Sequence, residues 1–231
     1  MISGEAALVR GVVAPTGTWR GRRPPVRPLA DALLRGDLGE AGALAERFLA
    51  RVHSRAAVFA DLLQPAQYRV GEQWYGGRIG IGDEHRAAVL LERLVTMLPP
   101  TPARRGVPAG SRCLLTVPPG ERHTLGLHMF ALALEDEGWT VELLDPECEP
   151  QDLPAVVQRT RPALVGISAG YLPSVHGLAQ VVCAIRDQSV PVLVGGGAFN
   201  RNGDLWRRVG ASACGADARI GTVMARRLAR G

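Results

Sequence analysis

The sequence predicts an α/β protein in two parts: an N-terminal helical bundle, then a C-terminal five-stranded parallel sheet with helices on both faces. Three observations carry this. Between residues 29 and 100, apolar residues recur at helical spacing. A Pro/Gly/Arg stretch, "PTPARRGVPAGS", then interrupts the pattern. Beyond it, five short apolar runs alternate with five helical segments, the signature of βαβ units.

Taken in order, residues 1–28 form an irregular basic tail, with Arg10, Arg20, Arg22, Arg23 and Arg27 set among Pro and Gly. Such a composition suits a solvated arm. The segment "LADALLRGDLGEAGALAERFLARV" gives two helices broken near Gly36. "HSRAAVFADLLQPAQYRVGEQWYGG" continues helically, with breaks expected at Pro65 and at Gly76-Gly77. "GDEHRAAVLLERLVTMLP" makes a further helix, with Asp83 as N-cap and Pro99 as its stop. Residues 29–100 are thus the helical bundle, 101–110 a linker and 111–231 the sheet domain. The strands are "RCLLTV", "TVELLD", "ALVGIS", "VPVLVGGG" and "ASACG". Helices follow them around 124–138, 150–160, 174–187, 203–209 and 217–229.

Composition bounds the function. At 231 residues and 46% hydrophobic, the chain can bury two cores. No run reaches the ~20 apolar residues of a membrane helix, and no secretory signal is evident, so a cytoplasmic protein without a membrane partner is expected. The four cysteines form no C-x-x-C pair, which removes the usual zinc and redox motifs. Core packing is expected of all four. The net charge of +5 comes entirely from arginine, since the chain has no lysine. No helix-turn-helix or zinc-finger pattern accompanies that charge, so sequence-specific DNA binding is not expected.

In a sheet of this kind, ligands bind beyond the carboxyl ends of the strands, near the switch in strand order. Three strand-end segments stand out: "PPGERHTLG", "SAGYLPS" and "GGGAFN". The glycine run Gly195, Gly196 and Gly197 implies close approach to backbone. Neither G-x-G-x-x-G nor G-x-x-x-x-G-K-[ST] is present, so a nucleotide cofactor is not favoured. His123 could ligate a metal through one ring nitrogen while Glu121 holds the other. The plainer alternative is a loop histidine paired with its neighbour.

Together these segments resemble the cobalamin-binding domains of methionine synthase and the corrinoid proteins. The family pattern is Asp-x-His-x-x-Gly after the first strand, a Ser-x-Leu-type segment after the third and Gly-Gly after the fourth. Here it stands as Glu121-x-His123-x-x-Gly126, Ser168-Ala169-Gly170 and Gly195-Gly196. The resemblance covers residues 111–230. It implies a Rossmann- or flavodoxin-like fold and His123 as the lower cobalt ligand, bound base-off/His-on. Glu121 and Ser174 would complete its hydrogen-bond relay. Ser168, Gly170 and the glycine run would line the channel for the nucleotide tail, with Thr124, Leu125, Tyr171 and Phe199 among the cofactor contacts. Glu in place of Asp lengthens the carboxylate's reach, and Gly170 stands where Leu is common.

The helical half resembles light-sensing cobalamin proteins of the CarH and LitR type. They carry a Trp, nine residues and then Glu-His, matched here by Trp74 and by Glu84-His85. The resemblance implies adenosylcobalamin, with Trp74 covering the upper face and the Glu-His pair beside it. In that family a histidine follows the Trp; here it is Tyr75. A neutral phenol (reference pKa ~10) ligates more weakly than imidazole at pH 7. The 28-residue tail is too short for the family's DNA-binding domain. Output through a partner protein or an oligomer change is therefore expected, with a homodimer implied. The stand-alone AerR-like and photocobilin-like forms share this layout, and the latter add a bilin such as biliverdin. These features predict a regulatory protein and not an enzyme. The alternative is a corrinoid protein carrying methyl groups for a methyltransferase system.

Overall fold

The computed structural model describes residues 23–102, 107–108, 110–118, 120–144, 152–172 and 175–230. The chain divides into two compact units, one helical and one built on a sheet.

The helical unit opens with α1 (Val26–Arg35), which begins inside the segment assigned by sequence to the basic tail. Its buried face is Leu29, Ala30, Ala32 and Leu33. Gly36 ends it in the left-handed region, at φ 81°. Asp37 then caps α2 (Leu38–Val52), its Oδ1 accepting from the Glu40 amide at 2.8 Å. Ser54 caps α3 (Arg55–Val58) in the same way through the Ala57 amide.

Pro65 does not break the chain's helical course. A π-helical turn, Phe59–Leu63, links α3 to α4 (Gln64–Tyr75). The wider i→i+5 pattern changes which carbonyls need a donor, and proline at the start of α4 lacks an amide where its absence costs least. Phe59, Ala60, Leu62 and Leu63 are buried in this run, so tertiary packing holds it. After α4 comes α5 (Ile81–Met97), which starts two residues before Asp83, with Gly80 at its N-cap. Asp83 is therefore not the N-cap; it sits in the first turn and its Oδ2 accepts from the Gly80 amide at 3.3 Å.

The second unit has β1 (Arg112–Thr116), α6 (Leu125–Glu135), β2 (Thr140–Leu143), α7 (Leu153–Thr160), β3 (Leu164–Ser168), α8 (Val175–Arg186) and β4 (Val192–Gly195). Then follow α9 (Gly197–Arg201), α10 (Leu205–Arg208), β5 (Ala213–Gly215) and α11 (Ala218–Leu228). All pairings are parallel, in the order β2-β1-β3-β4-β5. That order is flavodoxin-like, with its switch point between β1 and β3.

Alternation along the strands sorts the core into two layers. Leu114, Val165, Ile167, Val192 and Val194 pack with Leu178, Val182, Ile185 and Phe199 on one face. Cys113, Leu115, Leu164 and Leu193 pack with Leu127, Ala131, Leu134 and Ala225 on the other. Burial pushes the Cys113 thiol up, as an inert core thiol requires. Cys214 is half-buried, and its thiol is raised for the same reason. Cys183 is exposed on α8, contrary to the core role expected of it. Cys148 lies outside the described residues.

The fourth strand stops sooner than its apolar run suggested. Gly196 turns the chain at φ 97°, and Gly197 already opens α9. A Cβ on Gly196 would lie 2.4 Å from the Ala169 carbonyl oxygen. Glycine is needed there both for its φ and for the closeness of β3's exit.

Candidate functional site

The switch point brings the β1 and β3 exits together. Glu121 and His123 lie on the loop after β1, and Gly170 and Tyr171 on the loop after β3. Glu121 is 3% exposed, although its type is almost never buried without partners. Its partners are explicit. Oε1 accepts from the backbone amides of Arg122 and His123, both at 2.8 Å, and from His123 Nδ1 at 2.6 Å. Oε2 accepts from the Tyr171 amide at 2.6 Å, across the switch point.

Burial alone would raise the Glu121 pKa. The hydrogen bonds from His123 and from the Tyr171 and His123 amides, with the charge of His123, outweigh burial and hold it at about 2. An ionised carboxylate only accepts, so His123 Nδ1 must donate to it. The tautomer and ring plane are thereby fixed, and a metal would be taken through Nε2. The His123 side chain is 76% exposed, so the imidazole is held at its root and presented at its tip.

The remaining predicted residues fall into three groups. Gly126, Ser168, Gly170, Gly196 and Gly197 gather around the same strand ends. A Cβ on Gly126 would lie 3.5 Å from Ser168 Oγ, and one on Gly170 would lie 3.3 Å from both Glu121 Oε2 and His123 Cβ. One on Gly197 would lie 3.4 Å from the Gly170 oxygen. Thr124 precedes α6 as a half-buried cap position, and Tyr171 is exposed. Gly195 ends β4 against β5.

Phe199 lies in α9. It is 2% exposed and packs in the sheet's apolar layer, where a side chain this buried serves the core. Leu125 is buried as well, at the start of α6. Ser174 lies outside the described residues.

The third group is in the helical unit. Trp74 and Tyr75 end α4 and are 43% and 49% exposed, so Trp74 is not plain core. Glu84 and His85 lie in the first turns of α5, with His85 Nε2 and Glu84 Oε2 3.7 Å apart. Glu84 lines a shallow depression with Leu33, Gln67, Val70, Ala87, Ala88 and Leu91, while the His85 side chain is 72% exposed.

One residue at the strand ends was missed in the sequence. Arg201, at the end of α9, donates from Nη2 to the Gly170 carbonyl at 2.6 Å. Nothing in "GGGAFNR" marks it until the helix start at Gly197 is known, because only then does Arg201 fall one turn away from the glycines.

Residues 111–220 match the B12-binding family model, described as a B12 binding domain, and residues 26–98 match a second B12 binding domain model. The chain carries two B12 binding domains. Cobalamin is its cofactor.

The HTH-type transcriptional repressor CarH of Myxococcus xanthus is 31% identical over 144 residues, 61% of this chain and 47% of CarH. The chain thus spans about half the length of that relative. An uncharacterized 20.5 kDa protein in the bchF-crtJ intergenic region of Rhodobacter capsulatus is 29% identical over 153 residues, 63% of this chain and 78% of that protein. In fold, the chain is similar to the Methanosarcina barkeri monomethylamine corrinoid protein, with a TM-score of 0.68 and 16% identity. That likeness covers 86% of this chain and 95% of the other.

The donor set fits cobalamin. Cobalt arrives already held by its corrin ring, and the protein need add only an axial nitrogen. Among the described residues no group of three or more His, Cys, Asp or Glu is placed to hold a bare metal ion. An exposed imidazole fixed by a buried carboxylate is suited to the single-ligand task. Among the described residues, no helix is long and apolar enough to cross a membrane.

Proposed function

We propose that this chain is a light-sensing regulatory protein that holds adenosylcobalamin base-off, with His123 as the lower axial ligand. The observation that carries the lower-ligand reading is the buried Glu121 carboxylate bonded to the exposed His123 ring. The light-sensing reading rests on the Trp74, Glu84 and His85 spacing and on the similarity to CarH.

Each residue has a task in this proposal. Glu121 keeps Nδ1 protonated and aims Nε2. Gly170, Gly196 and Gly197 keep the strand exits free of side chains where the nucleotide tail would run. By its likeness to CarH-type proteins Trp74 would serve the adenosyl group, and Tyr75 stands where that family carries a histidine. The bound cofactor supplies a cobalt–carbon bond that light cleaves. Loss of the adenosyl group would relieve Trp74 of its contact and alter what the helical unit presents to a second copy or a downstream protein.

The test is an absorption spectrum and an elution profile of the full chain reconstituted with adenosylcobalamin in the dark, before and after green light. A protein-specific spectral conversion with a change in elution is expected. A response no different from that of free adenosylcobalamin would sink the light-sensing reading. Light-independent methyl transfer from bound methylcobalamin to an acceptor would favour the corrinoid carrier, and bands in the red would reveal a bilin.

A further inference from the structure

Arg201 donates to the Gly170 carbonyl, and the Tyr171 amide donates to Glu121. These two groups belong to one peptide unit. Because that unit is planar, fixing its carbonyl fixes the direction of its N–H. A carbonyl that accepts from a cation also polarises the peptide and strengthens the N–H as a donor. Three bonds of 2.6 Å therefore run in series: guanidinium to carbonyl, amide to carboxylate, imidazole to carboxylate.

The peptide at the middle needs such an anchor. Gly170 brings it close to Glu121 and His123, where a Cβ would already crowd both. The Tyr171 side chain beyond it is 57% exposed and does little to hold the loop by packing. Arg201 reaches the peptide from α9, the helix that opens at the glycine run after β4. The bond thus ties the β4 exit to the pair on the β1 loop.

We propose that Arg201 is a positioning residue for the axial histidine, acting through the Gly170–Tyr171 peptide and the Glu121 carboxylate. The proposal rests on the reading of His123 as the cobalt ligand. Arg201 is exposed, so its replacement leaves the core intact. Lysine keeps the charge but not the planar fork, so it restores the anchor only in part.

The experiment compares Arg201→Met, Arg201→Lys and Gly197→Ala in the full chain. The last keeps the charge and displaces the guanidinium, since its Cβ would lie 2.9 Å from Arg201 Nη1. The first readout is hydrogen exchange of the Tyr171 amide by NMR without cofactor. The second is the fraction of bound cobalamin with a protein nitrogen on cobalt, from absorption and from EPR of the cobalt(II) form. Arg201→Met should exchange the Tyr171 amide about tenfold faster, the size of one lost charge-assisted hydrogen bond. Its nitrogen-coordinated fraction should fall, with partial recovery in Arg201→Lys. Gly197→Ala, at a position the nucleotide tail would line, is read by Tyr171 exchange without cofactor alone, which should also quicken. Wild-type Tyr171 exchange in Arg201→Met overturns the proposal. Unchanged nitrogen coordination in His123→Ala overturns the ligand reading beneath it. The two failures are distinct, because exchange is read without cobalamin.

Discussion

The two units hold their Glu–His pairs in opposite ways. In the sheet unit, Glu121 is buried, takes three backbone amides and fixes its histidine at 2.6 Å. In the helical unit, Glu84 and His85 are neighbours on one helix turn, 3.7 Å apart, and the histidine side chain is 72% exposed. Trp74, at the end of α4, is 43% exposed. The first pair is preorganised, and its geometry belongs to the fold. The second meets side chain to side chain at 3.7 Å, with the histidine open to solvent. Preorganisation suits a permanent ligand, whose ordering cost is met on folding. A loosely held set suits a contact that must be made and lost.

The largest effect should come from crowding the strand exits. Gly196→Ala would place a Cβ 2.4 Å from the Ala169 oxygen at φ 97°. Backbone strain of ~1–3 kcal/mol adds to an overpacking cost of similar size. Urea unfolding should show the sheet unit losing several kcal/mol; wild-type stability would mean that the exits are not as tight as described. Next comes His123→Ala. Its fold should survive, because the ring is exposed, while nitrogen coordination disappears and cobalamin affinity falls roughly hundredfold or more, beyond the usual loss from an outer-shell partner. Titration followed by absorption measures both.

Glu121→Gln sharpens the contrast further. Cobalamin affinity should drop about 10–100-fold, since the amide cannot hold the imidazole as the carboxylate does. The pH dependence has a definite sign. Glu121 is held at about 2, below its ordinary value of 4.5, so folding favours the ionised form. That stabilisation is complete above about pH 4.5 and drains away as pH falls towards 2. Apo-protein stability between pH 5 and 3 should therefore fall less steeply in the variant than in the wild type. Parallel curves would mean that the carboxylate is not what the amides stabilise.

Residues with a fixed chemical role were the most legible in the sequence. His123 and Glu121 stand two apart on a loop, and the five-stranded parallel sheet follows from apolar runs with helical crossovers. What was hidden depended on tertiary context. Pro65 signals a break by its missing amide, yet buried Phe59, Leu62 and Leu63 hold the chain helical through a π turn. Phe199 follows the glycines as a ligand contact would, but α9 turns it into the core. Arg201 carries no local motif at all; its carbonyl partner is 31 residues away. Backbone donors such as the Tyr171 amide have no residue type to mark them, and three of the four bonds to Glu121 are of that kind.

Trp74→Ala should have the smallest effect on the apo-protein and is the most telling test of the helical side. A tryptophan 43% exposed at the end of α4 contributes little packing, so unfolding should shift by about 1 kcal/mol or less. Phe48, 2% exposed, is the internal control: its replacement by alanine should cost ~3–5 kcal/mol. If Trp74 serves the adenosyl face, its loss should appear only with cofactor, as a few-fold weaker affinity for adenosylcobalamin and an altered response to light. Affinity for hydroxocobalamin, which lacks the adenosyl group, should change less. Equal losses with both cofactors would make Trp74 a general corrin contact. A large loss in the apo-protein would place it with Phe48, and the distinction between a built lower side and an open upper side would fall.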